Sequence, residues 1–484
     1  MTFTIKSKLN EVLRHGLIYG LTSSLQSVLG FALLPILTSF YTTEEFGVYS
    51  LLLVMGTFAS AFFYFGASSA LGRFYYEEDK LEYKKGIISS AFQITAFGAF
   101  LLIILATIFS SNISIIAFQT DVYKMPIQLT FYGVAFTFLL NLLTLILRYN
   151  NKSILYLVIT LLSVLINFII TYILLAYFNY NIRAPLIGLI ISNLFSFLII
   201  LFYIKDYLTF EFKKKYLIRL LNFGIPALLT SLLFYLLDLV DRFIIKDLVS
   251  ISDVGVYSLG YKLASVINIL IIAPFGLIWA PFRMKNSKNE EVTKVLMVKV
   301  TSYLIIVGFI IIIIPILFGR SLMSIFFKKE EFLEALHIIP ILTLGILLFG
   351  LQNILDYGIN YYKKLQYYII TSICCIIFNV VANYSFIPIF GYKAAAYVTM
   401  LTYLFSTTLI YGFSSMFFKI RLEWNRILLP LAGLICFLYL FSFHPNYFDD
   451  LRLCILIFLL TIFLIYRYWL DSSEKSSIRQ FIKI

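Results

Sequence analysis

Charge is what this chain has least of. Only 13% of its 484 residues are Asp, Glu, Lys or Arg, about half the roughly 25% of a soluble globular domain. At the same time 61% are hydrophobic. Water therefore cannot be the solvent for most of its surface. Histidine is also scarce, with only His15, His337 and His444. The four cysteines, Cys374, Cys375, Cys436 and Cys454, all sit in apolar runs, and two of them are adjacent. That spacing excludes a zinc or disulfide framework. No Walker A pattern and no nucleophile elbow occurs, so nucleotide hydrolysis and serine-type catalysis have no residues to work with. No metal or other cofactor is expected. Long polar segments are missing too, which leaves no room for a soluble domain.

What remains is a succession of apolar runs. A spanning helix needs about 20 mainly apolar residues. Fourteen runs qualify, at 15–41, 46–72, 86–109, 126–148, 153–178, 184–204, 220–245, 255–281, 296–318, 336–359, 366–387, 394–418, 427–443 and 451–470. The thirteenth is short. The first is too long for a signal h-region and lacks a clear cleavage site, so it is expected to be a retained span. The predicted fold class is an all-α polytopic membrane protein.

The net charge of +13 would suggest nucleic acid in a soluble protein. Here the basic residues lie in short loops, where they read as topogenic charge facing anionic lipid. With the N-terminus placed in the cytoplasm, inner loops and helix ends hold 27 of the 38 Lys and Arg residues. Outer segments hold eight. Only Arg242, Lys262 and Lys299 fall within spans. One span more or fewer would swap the sides downstream and spoil this asymmetry. Both termini are therefore expected to be cytoplasmic. All three tryptophans, Trp279, Trp424 and Trp469, fall near the inner interface, as an aromatic belt requires.

The chain also repeats itself. Gly47-Val48-Tyr49-Ser50-Leu51 opens the second span, and Gly255-Val256-Tyr257-Ser258-Leu259 opens the eighth, 208 residues later. The same offset pairs Gly16 with Gly224, Thr22 with Thr230 and Ser23 with Ser231. Further on, an offset of 212 pairs Tyr149 with Tyr361, Lys152 with Lys364, Tyr156 with Tyr368 and Asn167 with Asn379. Six spans separate the copies, so the two halves share one orientation. That is a parallel repeat about an axis along the membrane normal, an arrangement found in transporters. The expected organisation is a lobe over 1–219, a second lobe over 220–418, and two further spans with a tail over 419–484.

Several motifs resemble those of a known family. They are Thr42-Thr43-Glu44-Glu45-Phe46-Gly47-Val48-Tyr49, Phe223-Gly224-Ile225-Pro226, Asp241-Arg242-Phe243, Gly255-Val256-Tyr257-Ser258, and Pro274-Phe275 through Trp279-Ala280-Pro281-Phe282. In this order and spacing the chain resembles the polysaccharide-biosynthesis flippases of the O-antigen and capsule type, within the multidrug-and-toxin-extrusion-like superfamily. The resemblance implies two six-helix lobes plus two helices. It implies transport of a polyprenyl-pyrophosphate-linked oligosaccharide from the inner to the outer leaflet of a bacterial inner membrane. It also implies membrane lipids, and a glycan polymerase with its chain-length machinery, as partners. A multidrug–cation antiporter of the same superfamily is the first alternative, though its cavity should be acidic. A membrane glycan polymerase or transferase is the second, though no long outer loop offers acidic residues.

Charges inside spans are costly and are candidates for function. They cluster as Asp238, Asp241 and Arg242 in span seven, with Lys262 in span eight. From the outer helix ends they lie about 13, 9, 7 and 10 Å deep at about 1.5 Å per residue. Their repeat counterparts are Gly30, Leu33, Leu34 and Val54, none charged. One reading is a structural ion-pair cluster with Arg242 reaching outward. The other has Lys262 and Arg242 facing a cavity, where they would attract a pyrophosphate while the aspartates tune them. Arg14, beside His15 at the start of span one, would meet a pyrophosphate entering from the cytoplasm, but charge there is usually topogenic. Asp356, about 10 Å from Lys363, reads as an interfacial residue or a gate. Gln26, Gln93, Asn141, Asn167, Gln352, Asn353 and Asn379 are amides within spans, a residue type that more often joins helices than binds sugar.

Overall fold

The computed structural model describes residues 20, 22, 25–209, 211–276, 279, 283, 290–443, 450–470 and 474–475. Every regular element among the described residues is helical. Ten helices are long and apolar enough to cross a membrane, and a bent pair, Glu330–His337 with Ile339–Leu355, makes an eleventh. The other three expected spans also coincide with helix: Leu25–Phe40, Lys214–Leu248 and Trp424–Phe443. The protein is a multi-pass helical membrane protein. Its contacts divide it into two compact units, residues 1–255 and 256–484.

In the first unit, spans one and two are joined by a two-residue turn. Thr42 caps the second span (Thr43–Phe63) through a capping box. Its hydroxyl accepts from the Glu45 amide at 3.1 Å, and the Glu45 carboxylate accepts from the Thr42 amide at 3.0 Å. The Thr-x-x-Glu signature of that arrangement stands in the sequence, so this motif is a helix start. Glu45 also accepts from Asn181 at 3.1 Å, and Tyr41 donates to the Asn181 carbonyl at 2.7 Å. These bonds tie the loop between spans five and six to the same end.

The second span breaks after Phe63 and resumes at Ala67. Phe65 and Gly66 turn through the left-handed region there, with φ of 49° and 63°. The break rests on span seven (Lys214–Leu248). A Cβ on Gly66 would stand 2.1 Å from the Gly224 carbonyl oxygen, and one on Gly224 would stand 2.4 Å from that of Phe65. That close approach is why glycine stands at 224, inside the helix of this span rather than at its start. Spans two to six and the start of span seven share a core that includes Leu71, Ile87, Ile88, Leu142, Ile146, Ile200 and Leu220. Span seven thus packs with the first unit, and the packing boundary at 255 falls one span later than the sequence-repeat boundary at 219.

The repeat reappears at the opposite end of span two. A Cβ on Gly47 would meet the Ile251 carbonyl oxygen at 2.0 Å, and one on Gly255 would meet that of Thr43 at 2.0 Å. Thr43 and Ile251 are themselves 208 residues apart. The two glycine motifs therefore cross reciprocally, each lying on the first turn of the other's helix. Only hydrogen at Cα permits this approach.

Span eight (Ile251–Ala264) begins in the first unit, passes into the second after Gly255 and continues there through a wide turn at Asn268–Ile272. Its Tyr257 and Tyr261 hydroxyls pair with Thr399 and Tyr403, each at 3.0 Å, on span twelve (Tyr392–Ser415). Gln352 joins spans ten and twelve through Ser406 at 2.9 Å and Thr407 at 3.2 Å. Asn379 joins span eleven (Gln366–Phe390) to Thr402 at 3.4 Å. These two amides link helices. Spans thirteen and fourteen (Leu451–Trp469) pack on span nine (Glu290–Phe326).

Candidate substrate site

The structure treats the sequence candidates differently. Arg14 lies outside the described residues, as does His15. Asp238 is described only as part of the helix of span seven; its side chain is not. Asp241 and Arg242 are buried, with 4% and 5% exposure, and neither is without a partner. Lys262 in the second unit is half-buried and engaged. Its carbonyl accepts from Ser265 Oγ at 2.6 Å and from the Ser265 amide at 3.1 Å, just where the helix gives way to the wide turn.

A cavity of about 910 Å³ opens in the first unit. Span seven contributes Leu239, Phe243, Lys246 and Asp247 to it. These fall at i, i+4, i+7 and i+8, one stripe of a helix. Arg242 flanks that stripe, and Asp241 lies on the opposite side at 100° per residue. The cavity's polar end is therefore made by Lys246, Asp247 and Gln119. Lys246 Nζ donates to the Ala117 carbonyl at 2.6 Å and pairs with Asp247 at 2.7 Å. It also lies 5.3 Å from the centre of the Phe243 ring. The Ala117 carbonyl belongs to the last turn of span three (Leu81–Phe118), where the helix dipole favours a cation. Sequence reading counted Lys246 only as an outer helix end. Its place one turn after Arg242 was the available signal.

Asp356 sits in the second unit at a break in the helix of span ten. Its carboxylate pairs with Arg283 at 2.7 Å and accepts from Asn360 at 2.7 Å and Tyr368 at 2.6 Å. Arg283 also donates to the Asn353 carbonyl at 3.0 Å. Both charged side chains are only 13% exposed. Arg283, read from sequence as a topogenic charge, is thus half of a nearly buried ion pair that braces the break.

A second cavity, of about 420 Å³, lies between spans nine, thirteen and fourteen. Ile306, Phe309, Leu429, Phe437, Leu460 and Leu464 are among its walls, and almost all of the lining is apolar. Leu429, Leu460 and Leu464 are exposed, so it is an open groove rather than a sealed void.

Comparison with solved structures identifies the fold. The fold matches the lipid II flippase MurJ in an inward closed conformation, with a TM-score of 0.75 at 18% identity, covering 93% of this chain and 99% of that one. It also matches an inward-facing multidrug resistance MATE family transporter of the MOP superfamily, with a TM-score of 0.59 at 12% identity, covering 87% and 96%. A MATE structure in the bent conformation gives 0.57 at 15% identity, covering 88% and 96%. This chain shares its fold with these three structures. The sequence matches the MatE family over residues 226–385 and the family described as polysaccharide biosynthesis protein over residues 36–299. The second match spans more than half of the chain, which belongs to the polysaccharide biosynthesis protein family. No sequence among the curated proteins matches significantly.

Proposed function

We propose that this protein is a flippase. It moves a polyprenyl-pyrophosphate-linked oligosaccharide from the inner to the outer leaflet of a bacterial inner membrane, for assembly of O-antigen, capsule or exopolysaccharide. The observation that carries the reading is the open apolar groove between spans nine, thirteen and fourteen. A long isoprenoid chain needs such a surface while its polar head crosses. A pyrophosphate and a glycan cannot cross about 30 Å of hydrocarbon unaided. Two six-helix lobes, 1–219 and 220–418, would rock about a polar path and expose it to each side in turn. Residues 419–484 would serve the tail. Both termini would be cytoplasmic, as the distribution of Lys and Arg favours. Lys262 and Arg242 are the proposed contacts for the pyrophosphate, with Asp238 and Asp241 tuning them. Arg14 would meet the head on entry. A glycan polymerase and its chain-length machinery would receive the product.

The MatE match and the MATE neighbours favour a second reading, a multidrug–cation antiporter. The intramembrane charges argue for the first, because cations stand among them. The test is complementation of surface glycan in a strain lacking the gene. Lys262→Ala and Arg242→Ala should each insert normally and abolish export. Full export by the charge-swapped pair Asp241→Lys with Lys262→Asp would make these charges merely structural. Wild-type protein that confers drug efflux and no glycan export would establish the antiporter instead.

A further inference from the structure

Lys294, Val295, Val298 and Lys299 of span nine face Lys419, Arg421 and Glu423 across a cleft of about 480 Å³. Lys294 is held by Glu290 at 2.5 Å and by the Phe418 ring at 5.1 Å. Glu423 is held by Arg426 at 3.2 Å. Among the described residues, Lys299, Lys419 and Arg421 have no partner. These three share the cleft with one carboxylate, Glu423, whose partner Arg426 also pairs with Glu474. Cations in excess around one cleft repel one another unless a further anion joins them. Topogenic charge explains why cations lie at this end of the protein. It does not explain why they are gathered around a cavity.

The cleft has an apolar continuation. Span nine has 37 residues, about 55 Å of helix at about 1.5 Å per residue. The hydrocarbon core is about 30 Å thick, so the first turns stand in the headgroup region. Ile306 is seven residues beyond Lys299, on the same face and about 10 Å further along. Ile306 and Phe309 open the apolar groove shared with spans thirteen and fourteen. A polar band lies between cleft and groove. In it Tyr303 donates to Glu474 at 2.6 Å, Arg426 donates to Glu474 at 3.0 Å, and Trp469 Nε1 donates to the Arg426 carbonyl at 3.0 Å. Cation cleft, polar band and apolar groove follow one another along one helix face. That is the layout of a lipid's head, interface and chain.

We propose that this cleft binds the diphosphate of a polyprenyl-linked carrier, with its chain in the groove, as a loading position occupied before the head enters the bundle. The proposal rests on the flippase reading. Three unpartnered cations suit a diphosphate, which carries more than one charge, better than a phosphodiester headgroup carrying one. At about 1 kcal/mol for each cation near the membrane surface, the three together correspond to about a hundredfold in affinity.

The test uses the purified full-length protein and radiolabelled geranylgeranyl diphosphate in equilibrium binding. The triple variant Lys299→Gln, Lys419→Gln, Arg421→Gln should bind about a hundredfold more weakly. Lys419 and Arg421 are exposed, so the variant should fold, and Lys299→Arg should retain binding. Phosphatidylglycerol vesicles and inorganic pyrophosphate should each displace the probe poorly. Unchanged binding by the triple variant would overturn the proposal. Equal displacement by phosphatidylglycerol would also overturn it, in favour of a general anionic-lipid site. Displacement by inorganic pyrophosphate alone would remove the groove from the argument. A wild-type protein that complements glycan export while its triple variant binds normally sinks the loading position alone. A wild-type protein that neither binds the probe nor complements export sinks the flippase reading with it.

Discussion

The hydroxyls of Thr43 and Ser252 meet at 2.5 Å, joining the starts of spans two and eight across 209 residues. Side chains in hydroxyl contact suit a disulfide, whose Cβ atoms stand about 3.5–4.5 Å apart. Cysteines at both positions should therefore crosslink under mild oxidation. If the two lobes rock as proposed, the crosslinked protein should export no glycan, and reduction should restore export. Unimpaired export by fully crosslinked protein would rule out separation at this end.

The reciprocal glycines make a second prediction. A methyl on Gly47 or on Gly255 would stand 2.0 Å from a backbone oxygen, so the helices must part. Gly47→Ala and Gly255→Ala should each lower stability by about 1–3 kcal/mol, the usual cost of overpacking. The two share one interface, so the double variant should cost less than the sum. Unfolding midpoints in detergent would measure this. A strictly additive double variant would mean that the two glycines act separately.

Removing Asp356 leaves Arg283 nearly buried without its counter-charge. Asp356→Asn should destabilise by about 3–5 kcal/mol. Replacing both partners by apolar residues, Asp356→Leu with Arg283→Met, should recover much of that loss, because no ion then remains to be desolvated. Tyr368→Phe removes one hydrogen bond to a charge and should cost about 1.5–3 kcal/mol. Thermal unfolding of the purified variants would read all three. An Asp356→Asn variant as stable as wild type would show that the pair does not brace the break in span ten.

Topology is open to direct test. Single cysteines near Lys84, Lys214, Lys288 and Lys475 should label only from the cytoplasm, and those near Glu44, Thr120 and Asp449 only from outside. Lys214 and Lys288 on opposite sides would mean that the middle of the chain holds an odd number of spans between them.

The sequence by itself determined the solvent and the elements. Apolar runs of spanning length fix where helices lie, because a backbone in hydrocarbon must satisfy its own hydrogen bonds. The capping box of Thr42 and Glu45 is local and needs only four residues, yet in the sequence reading the two stand only as part of a family motif, and the structure made them a helix start. The repeated Gly-Val-Tyr-Ser-Leu was legible as a string. That its two copies cross at Gly47 and Gly255 was not, since sequence carries no distance between residues 208 positions apart. The charges divide in the same way. Depth along a helix could be counted from the sequence, and it singled out Asp241, Arg242 and Asp356. Partners could not be counted. Only tertiary packing brought Arg283 to Asp356, set Lys246 on the end of span three, and gathered Lys299 with Lys419 and Arg421. The physical reason is that periodicity assigns each side chain to a face of its own helix, whereas a site is made by the neighbours that face meets.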